Sequence, residues 1–480
     1  MSQADRLRAI RAVPPGPGTV AYFDYDGTII DGYSAGAFYR RRLREFDVGA
    51  VELLRTIAAG VRGIRTNDDF REFLALTLAT WQGRTEAELF DLGRELFVSE
   101  IAGQLHQEAW ELVATHKECG HIVVMASSAT RFQVQPMADE LGADKVLCTE
   151  LEVRHGVLTG RPDGTPLWGP GKAAAVVADA EERGVDLQHC FAYANGTEDV
   201  DFLAEVGHPV AVSPTDELRA LATERGWPIL DCAPRGGLLP DVADVARTAV
   251  FYGGMLGGMG AAVGAGLLHG SRRRFIDMAC GVGADVGFGL AGIDVEVIGA
   301  EHLVSARPCV FLFNHQSKFD VPILMKLLRG GFTGVAKKEA ASIPLWGQLF
   351  QAADVAFIDR SDTTKAKEAL EPAVRRLRED AISLAMAPEG TRSPTPKLGP
   401  FKKGAFHIAM QAGVPVVPIV IRNAGEIMWR GAQTLRGGIV EVAVLEPIDT
   451  SGWRREDVAQ HTEDVRDRFV HTLVHWPEAE

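Results

Sequence analysis

A run of 21 residues without a charge, Thr248 to Leu268, constrains this 480-residue chain more than any other feature. It reads TAVFYGGMLGGMGAAVGAGLL and is followed by His269 and then by Arg272, Arg273 and Arg274. As a helix rising about 1.5 Å per residue it is roughly 32 Å long, enough to cross the hydrocarbon core of a bilayer. Its glycines at 253/257, 254/258 and 260/264 make overlapping G-x-x-x-G pairs, which let helices approach closely within one chain or between copies in a homo-oligomer. A buried, Gly-rich helix of a soluble core is the alternative reading. A second weakly polar stretch, Met278 to Ile293, is interrupted by Asp285 and makes a poor spanning segment.

On either side of this region, strand-like apolar runs alternate with amphipathic helical patterns. TVAYF, HIVVMA and HPVAV precede it; VEVIG, PCVFLFN, VAFID, AISLAMA and VPVVPIVI follow it. The alternation predicts an α/β fold with parallel sheets, in two domains joined by hydrophobic, membrane-associated linker helices. The predicted divisions are a tail over 1–17, a first domain over 18–232, the linker over 233–293 and a second domain over 294–480. With 46% hydrophobic residues the chain is not disordered. Its 50 Lys+Arg against 64 Asp+Glu, a net charge of −14, argue against a nucleic-acid partner. The six cysteines show no C-x-x-C spacing, so neither a zinc site nor a disulfide framework is legible, and a reducing cytosol is the simplest compartment. The first residues, MSQADRLRAIRAVPPGPG, lack the apolar core of a secretory signal, which predicts a cytosolic start and residence at the cytoplasmic face of the cell membrane.

In the first half, TVAYFDYDGTIIDG sets Asp24 and Asp26 at the end of an apolar run, with Gly27 and Thr28 next. In parallel sheets ligands bind at that end of the strands, and a D-x-D pair there lets one carboxylate attack phosphorus while the other handles the proton. Downstream come Ser127 and Ser128 at the end of HIVVMASS, then Lys172 at a Gly-flanked helix start suited to an anion. Last comes AYANGTEDVDFL, whose Asn195, Glu198 and Asp199 are candidate oxygen ligands for Mg²⁺. These pieces resemble the haloacid dehalogenase superfamily, in its phosphoserine-phosphatase-like branch, across about residues 18–230. The resemblance implies a Rossmann-like domain with a helical cap over about 34–116, Asp24 as nucleophile and Asp26 as acid/base. It implies Ser127 and Lys172 as phosphate-binding residues, and Mg²⁺ on Asp24, Asp26, Asn195 and Asp199. The superfamily pattern G-D-S-x-x-D reads Ala194-Asn195-Gly196-Thr197-Glu198-Asp199 here, so a neutral amide replaces one metal-binding carboxylate. Two readings stay open: an active phosphatase, and a regulatory or lipid-headgroup-binding module on an inherited fold.

In the second half, PCVFLFNHQSKFD presents His315 and, five residues on, Asp320. A neutral imidazole suits deprotonation of a hydroxyl at neutral pH, and an aspartate can steady the imidazolium that forms. The pair is followed in order by GVAKKEAASIPLWG, FIDR, APEGTRS and GVPVVPI. This ordered set resembles the glycerolipid acyltransferase family, whose lysophosphatidic acid acyltransferases add a second fatty chain to glycerol phosphate, over about residues 290–450. The resemblance implies catalysis by His315 and Asp320, and binding of the acceptor's phosphate by Arg360, Glu389, Gly390, Thr391 and Arg392. It puts Pro415 in a fourth block. Arginine's planar fork matches a phosphate in two hydrogen bonds, which makes Arg360 and Arg392 the better anchors. Lys337, Lys338, Lys402 and Lys403 read either as a basic rim for CoA phosphates or anionic lipid, or as solvated surface. The resulting expectation is a lipid-synthesis enzyme making phosphatidic acid from 1-acylglycerol-3-phosphate and a thioester donor, acyl-CoA or acyl-carrier protein. Another polar lipid, such as a glycolipid, is the alternative acceptor. The same reading predicts that the hydrophobic region dips into the bilayer and returns, because Arg272 to Arg274 and a cytosolic thioester donor both favour the cytosolic face.

Overall fold

A computed structural model describes residues 3–45, 66–235, 241–266, 272–343, 346–358 and 363–477. The chain divides into two compact units at the Gly236/Gly237 boundary. The first unit is built on strands β1 (Val20–Phe23), β2 (Ile122–Thr130), β3 (Lys145–Thr149), β6 (Phe191–Ala194), β7 (His208–Val212) and β8 (Ile229–Leu230). They lie in the order β3-β2-β1-β6-β7-β8, all parallel. Every residue of β1 is buried, which is why VAYF carries no alternation: both faces of a parallel strand are covered. Because β1 lies between β2 and β6, the chain leaving it emerges beside the ends of the strands that carry Ser127 and precede Asn195.

Between β1 and β2 the chain makes a helical insertion. Its helices Asn67–Ala79 and Glu86–Leu96 are each opened by a capping box, Thr66 with Asp69 and Thr85 with Glu88. Residues 46–65 of the predicted cap lie outside the described residues. The two ends of the insertion pair with each other: Ile30 bridges Leu105, the Asp31 N–H donates to the Gln104 carbonyl at 2.8 Å, and the His106 N–H donates to the Ile29 carbonyl at 3.0 Å. A small antiparallel hairpin, β4 (Leu151–Arg154) with β5 (Val157–Pro162), touches the insertion at Thr85.

The second unit holds β9 (Ile293–Ile298), β10 (Val310–Phe313), β11 (Phe332–Lys337), β12 (Ala356–Ile358), β13 (Ser383–Met386), β14 (Val416–Ile421) and β15 (Gly438–Val444). Their order is β12-β11-β13-β10-β14-β15-β9, and only β14 and β15 run antiparallel. The hydrophobic region forms helices Val242–Gly266 and Arg272–Ala291, packed antiparallel through glycine. A Cβ on Gly258 would meet the Gly283 Cα and the Val282 carbonyl oxygen at 3.1 Å, and one on Gly287 would meet the Phe251 carbonyl oxygen at 3.0 Å. Of the predicted pairs, 254/258 faces the partner helix, and it meets a second pair, 283/287, that the sequence reading passed over. Gly253, Gly257 and Gly260 meet nothing within 4 Å and form an exposed face with Val250 and Leu256.

The inner side of the two helices belongs to the core of this unit. Phe251 and Phe288 pack on Phe319 with ring centroids 5.2 and 5.1 Å apart, beside Phe311 of β10. Asp285, which interrupts the apolar pattern, pairs with Arg329 at 2.7 Å and Lys326 at 3.3 Å. The sequence reading allowed a bilayer-crossing helix over 248–268. Among the described residues no helix is long and apolar enough to cross a membrane, and residues 267 and 268 lie outside them. The helix begins at Val242, so Asp244 and Arg247 share it with the uncharged run.

Candidate active sites

In the first unit, the Asp24 N–H donates to the Tyr193 carbonyl at 2.9 Å, which fixes the chain as it leaves β1. Gly27, at φ +78°, turns the loop, and a Cβ there would overlap the Asn195 side-chain amide at 2.1 Å. Lys172 is 2% exposed and stands at the start of helix Pro170–Arg183, which opens with Pro at its first position and closes on Gly184 in the left-handed region. Its Nζ lies 2.8 Å from Asp24 Oδ1 and 2.6 Å from Asp199 Oδ1. The second contact is an ion pair off the hydrogen-bonding direction, since Asp199 Oδ1 has no hydrogen-bond partner by angle. Burial works against the Lys172 charge, yet Asp199 and Asp24 together hold the ammonium above its ordinary range.

The remaining groups divide their duties. The Thr28 hydroxyl lies 3.3 Å from both Asp24 Oδ2 and Asn195 Oδ1, drawing those two oxygens to one place. Asp26 accepts from the Ser34 N–H at 2.7 Å and from the Ser34 hydroxyl at 3.2 Å. Desolvation pushes the Asp26 carboxyl up to about 7, against the lowering effect of the Ser34 N–H and with the help of Asp24's negative charge. It therefore holds its proton near neutral pH, as an acid for a leaving group must. Ser127 is fully buried, and its hydroxyl accepts from the Ala129 N–H at 3.1 Å.

Asp24 Oδ2 and Asn195 Oδ1 fit a hard divalent cation such as Mg²⁺, which takes oxygen donors and needs only one or two carboxylates when substrate phosphate supplies the rest. The other two residues of the expected set, Asp26 and Asp199, have protein partners of their own. The Asp26 carboxylate is turned to Ser34 and that of Asp199 to Lys172, because an ammonium buried beside a carboxylate must be paired.

In the second unit, Asp320 opens helix Asp320–Leu328 and is wholly buried. Its Oδ2 accepts from His315 Nδ1 at 2.7 Å and from the N–H groups of Gln316 and Ser317 at 2.9 and 3.0 Å. With Nδ1 donating to the carboxylate, Nε2 carries the lone pair. The loop is tied on both sides: Asn314 exchanges two 2.7 Å hydrogen bonds with the backbone of Ile421 on β14, and the Ser317 hydroxyl donates to the Met428 carbonyl. The His315 ring packs edge-on against Phe313, with centroids 5.8 Å apart. Phe313 also lines an apolar cavity of about 110 Å³ with Ile276, Cys280, Leu324, Met325 and Phe350.

Glu389, expected to help hold phosphate, is engaged with the backbone. It is buried, accepts from the His315 N–H at 2.8 Å and from the Gly399 N–H at 2.9 Å, and so clamps the histidine loop. Burial raises the Glu389 pKa, against the lowering effect of those two N–H groups. Gly390, at φ +70°, leaves room for Lys402, whose Nζ a Cβ would meet at 2.8 Å, and Thr391 is exposed. Pro415 supports the sheet by accepting from the Val310 N–H at 2.9 Å. Arg360 lies outside the described residues. Arg392 is half-buried; burial and the neighbouring Arg430 lower its pKa, while Asp320 opposes them. Lys318 is lowered in turn by burial and by Arg392. Arg392 is thus within electrostatic reach of Lys318, Arg430 and Asp320, and an anion relieves the repulsion among the cations. Sequence reasoning missed Lys318 and Arg430. Lys318 stands inside the NHQSKFD motif, whereas no spacing marks Arg430.

Residues 21–204 match the family model described as haloacid dehalogenase-like hydrolase, and residues 294–422 match the one described as acyltransferase. Among curated proteins, the 1-acyl-sn-glycerol-3-phosphate acyltransferase of Saccharomyces cerevisiae is 34% identical over 186 residues, 38% of this chain and 61% of that protein. The enzyme of the same name from Limnanthes alba is 37% identical over 185 residues, 38% of this chain and 65% of that protein. The chain thus spans less than two thirds of the length of these relatives. A solved structure, the 1-acyl-sn-glycerophosphate acyltransferase PlsC from Thermotoga maritima, is 26% identical and covers 50% of this chain and 99% of that one, with a TM-score of 0.43. The chain joins a haloacid dehalogenase-like hydrolase domain to an acyltransferase domain.

Proposed function

We propose that the second unit transfers an acyl chain from a thioester to 1-acylglycerol-3-phosphate, giving phosphatidic acid. The observation that carries the reading is the 2.7 Å contact between His315 Nδ1 and the wholly buried Asp320. The acceptor's hydroxyl gives its proton to His315 Nε2 as its oxygen attacks the thioester carbonyl; the carbon–sulfur bond breaks, and the thiolate takes the proton back. Asp320 steadies the imidazolium between those steps. Arg392, with Arg430 and Lys318 beside it, binds the phosphate of the acceptor, and the apolar cavity against Phe313 offers a place for an acyl chain. The donor is acyl-CoA or acyl-carrier protein, with the exposed Lys337, Lys338, Lys402 and Lys403 as a basic rim. His315→Ala should cut turnover by roughly 10²–10⁴ while leaving lysolipid binding intact. A variant keeping more than about a tenth of wild-type turnover would exclude general-base catalysis by this residue.

For the first unit the proposed activity is Mg²⁺-dependent phosphomonoester hydrolysis. Asp24 attacks phosphorus as the bond to the leaving oxygen breaks, and Asp26 protonates that oxygen; water then attacks the aspartyl phosphate, gives its proton to Asp26 and frees phosphate. Lys172 holds Asp24 in place and offsets charge on the transferring group. Mg²⁺ on Asp24 and Asn195 would supply further positive charge to the phosphoryl oxygens. The neutral Asn195 favours a second reading, a phosphate-binding module without turnover. Asn195→Asp separates them: for a phosphatase it lowers the Mg²⁺ concentration at half-maximal phosphate release, whereas a module releases no phosphate in either form.

The two-helix hairpin is proposed to lie on the cytoplasmic side of the membrane with its exposed face, Val250, Gly253, Leu256, Gly257 and Gly260, in the lipid. Single cysteines introduced at Ser2 and Ser451 in a cysteine-free chain should then react from the same side of sealed vesicles. Reaction from opposite sides would overturn the hairpin.

A further inference from the structure

His106, Glu108 and Cys232, none of which the proposed chemistry uses, are the group of three among the described residues whose side chains can converge on a metal ion. We propose that they hold one divalent cation of the zinc class. One ligand atom from each lies within 4.8 Å of the other two. His106 is 2% exposed, and its Nδ1 is buried with no hydrogen-bond partner. Glu108 Oε2 is also buried without a partner, while Oε1 accepts from the Ala233 N–H at 3.2 Å. Buried polar atoms in folded proteins are paired with few exceptions, and two orphans beside one thiol point to a missing partner that accepts lone pairs. A donor set of one imidazole nitrogen, one carboxylate oxygen and one thiolate suits borderline-soft Zn²⁺; Mg²⁺ takes oxygen alone.

Zinc bonds of about 2.0–2.3 Å bring tetrahedral donors to within roughly 4 Å of each other, so rotation about side-chain bonds closes the site. Three protein ligands leave a fourth position for water, and binding releases the thiol proton to solvent. Burial and the charge of Arg235 disfavour a protonated His106, against Glu108, Asp31 and the Ala233 backbone, so the imidazole is held in the neutral form that binds a metal.

The location gives the cation a task. His106 follows directly on Leu105, where the exit of the helical insertion pairs with Ile30 at its entrance. Cys232 follows β8, the last strand of the same sheet. A cation here staples the hinge of the insertion to the end of the first unit. The ligands come from positions 106 and 232, a separation of 126 residues, so the absence of a C-x-x-C spacing could not reveal them.

The test uses the full chain, stripped with a chelator and titrated with Co²⁺. The expected result is one equivalent bound with tetrahedral ligand-field absorption and a near-ultraviolet thiolate-to-cobalt band, both displaced by one equivalent of Zn²⁺ and neither by excess Mg²⁺. Cys232→Ser should remove the thiolate band, and Cys148→Ser should keep it. Glu108→Gln, which retains an oxygen acceptor for Ala233, should keep the band and weaken Zn²⁺ at least tenfold. It also gives a reading if Cys232→Ser does not fold. No thiolate band in the wild-type chain, a band surviving in Cys232→Ser, or unchanged Zn²⁺ affinity in Glu108→Gln would overturn the proposal.

Discussion

The two candidate sites bury charge in opposite ways. In the first unit the cation is inside: Lys172 is 2% exposed and is held between Asp24 and Asp199. In the second unit only the carboxylate is inside, with Asp320 wholly buried while a fifth of the His315 side chain stays in solvent. The difference follows the chemistry each arrangement can support. A site that handles phosphoryl charge gains from positive charge fixed in a medium of low dielectric, where it needs no reorganisation. A base that takes a proton from a hydroxyl must instead change charge during each turnover, and an edge open to solvent makes that change easier. The cations of the second unit, Lys318, Arg392 and Arg430, keep their charge beside that base and are suited to holding a substrate's charge.

The largest effect should come from exchanging the two losses. Asp24→Asn is expected to stop phosphate release and aspartyl-phosphate formation with acyl transfer unchanged, while His315→Ala does the reverse. Assay of both activities on both variants checks this, and any cross-inhibition would mean that the sites are not independent. Next, Lys172→Met should destabilise the first unit by about 3–5 kcal/mol, since it strips two buried carboxylates of their cation. Denaturant unfolding measures that loss, and a Lys172→Met chain as stable as wild type would make the buried triad unimportant to folding.

A smaller effect separates the sites by pH. In the folded, metal-free chain Asp26 keeps its proton up to about 7, whereas an unfolded aspartate releases it near its ordinary value. The folded state binds the extra proton between those limits. Stability from this group is therefore fully present at low pH, is lost as pH rises through about 7, and stays lost above. Asp26→Asn should remove this dependence, so its melting temperature should gain on wild type between pH 5 and pH 8. Equal profiles would show that the carboxyl ionises normally. The smallest effects belong to glycine. Gly258→Ala should cost about 1–3 kcal/mol by overpacking. Gly253→Ala, with nothing within 4 Å, should be neutral or should stabilise by about 0.5–1 kcal/mol through helix propensity.

What could be read from the sequence was whatever lies close together along it. Asp24, Asp26, His315 and Asp320 announce themselves because each pair sits within one loop at a strand end. The duties of single residues inside a motif were harder to read. Glu389 sits in a block associated with phosphate, yet it clamps the backbone of His315, 74 residues away. Arg430 carries no spacing signal, since the fold of the chain and not its local sequence brings it to Arg392. Gly283 and Gly287 were passed over because the sequence shows which glycines are four apart and not which faces will meet.

The placement of β9 has a consequence for synthesis. This strand follows the two-helix hairpin directly, lies at the edge of its sheet, and among the described residues pairs with β15 alone. Its partner begins at Gly438, 145 residues after Ile293 (438 − 293). At about 5–20 residues per second a ribosome needs on the order of ten seconds to cross that distance. During that interval the hairpin already has Phe311 and Phe319 to pack against, while β9 still lacks its partner. The edge of the sheet therefore closes last, after the loops that carry His315, Glu389, Arg392 and Arg430 have been made.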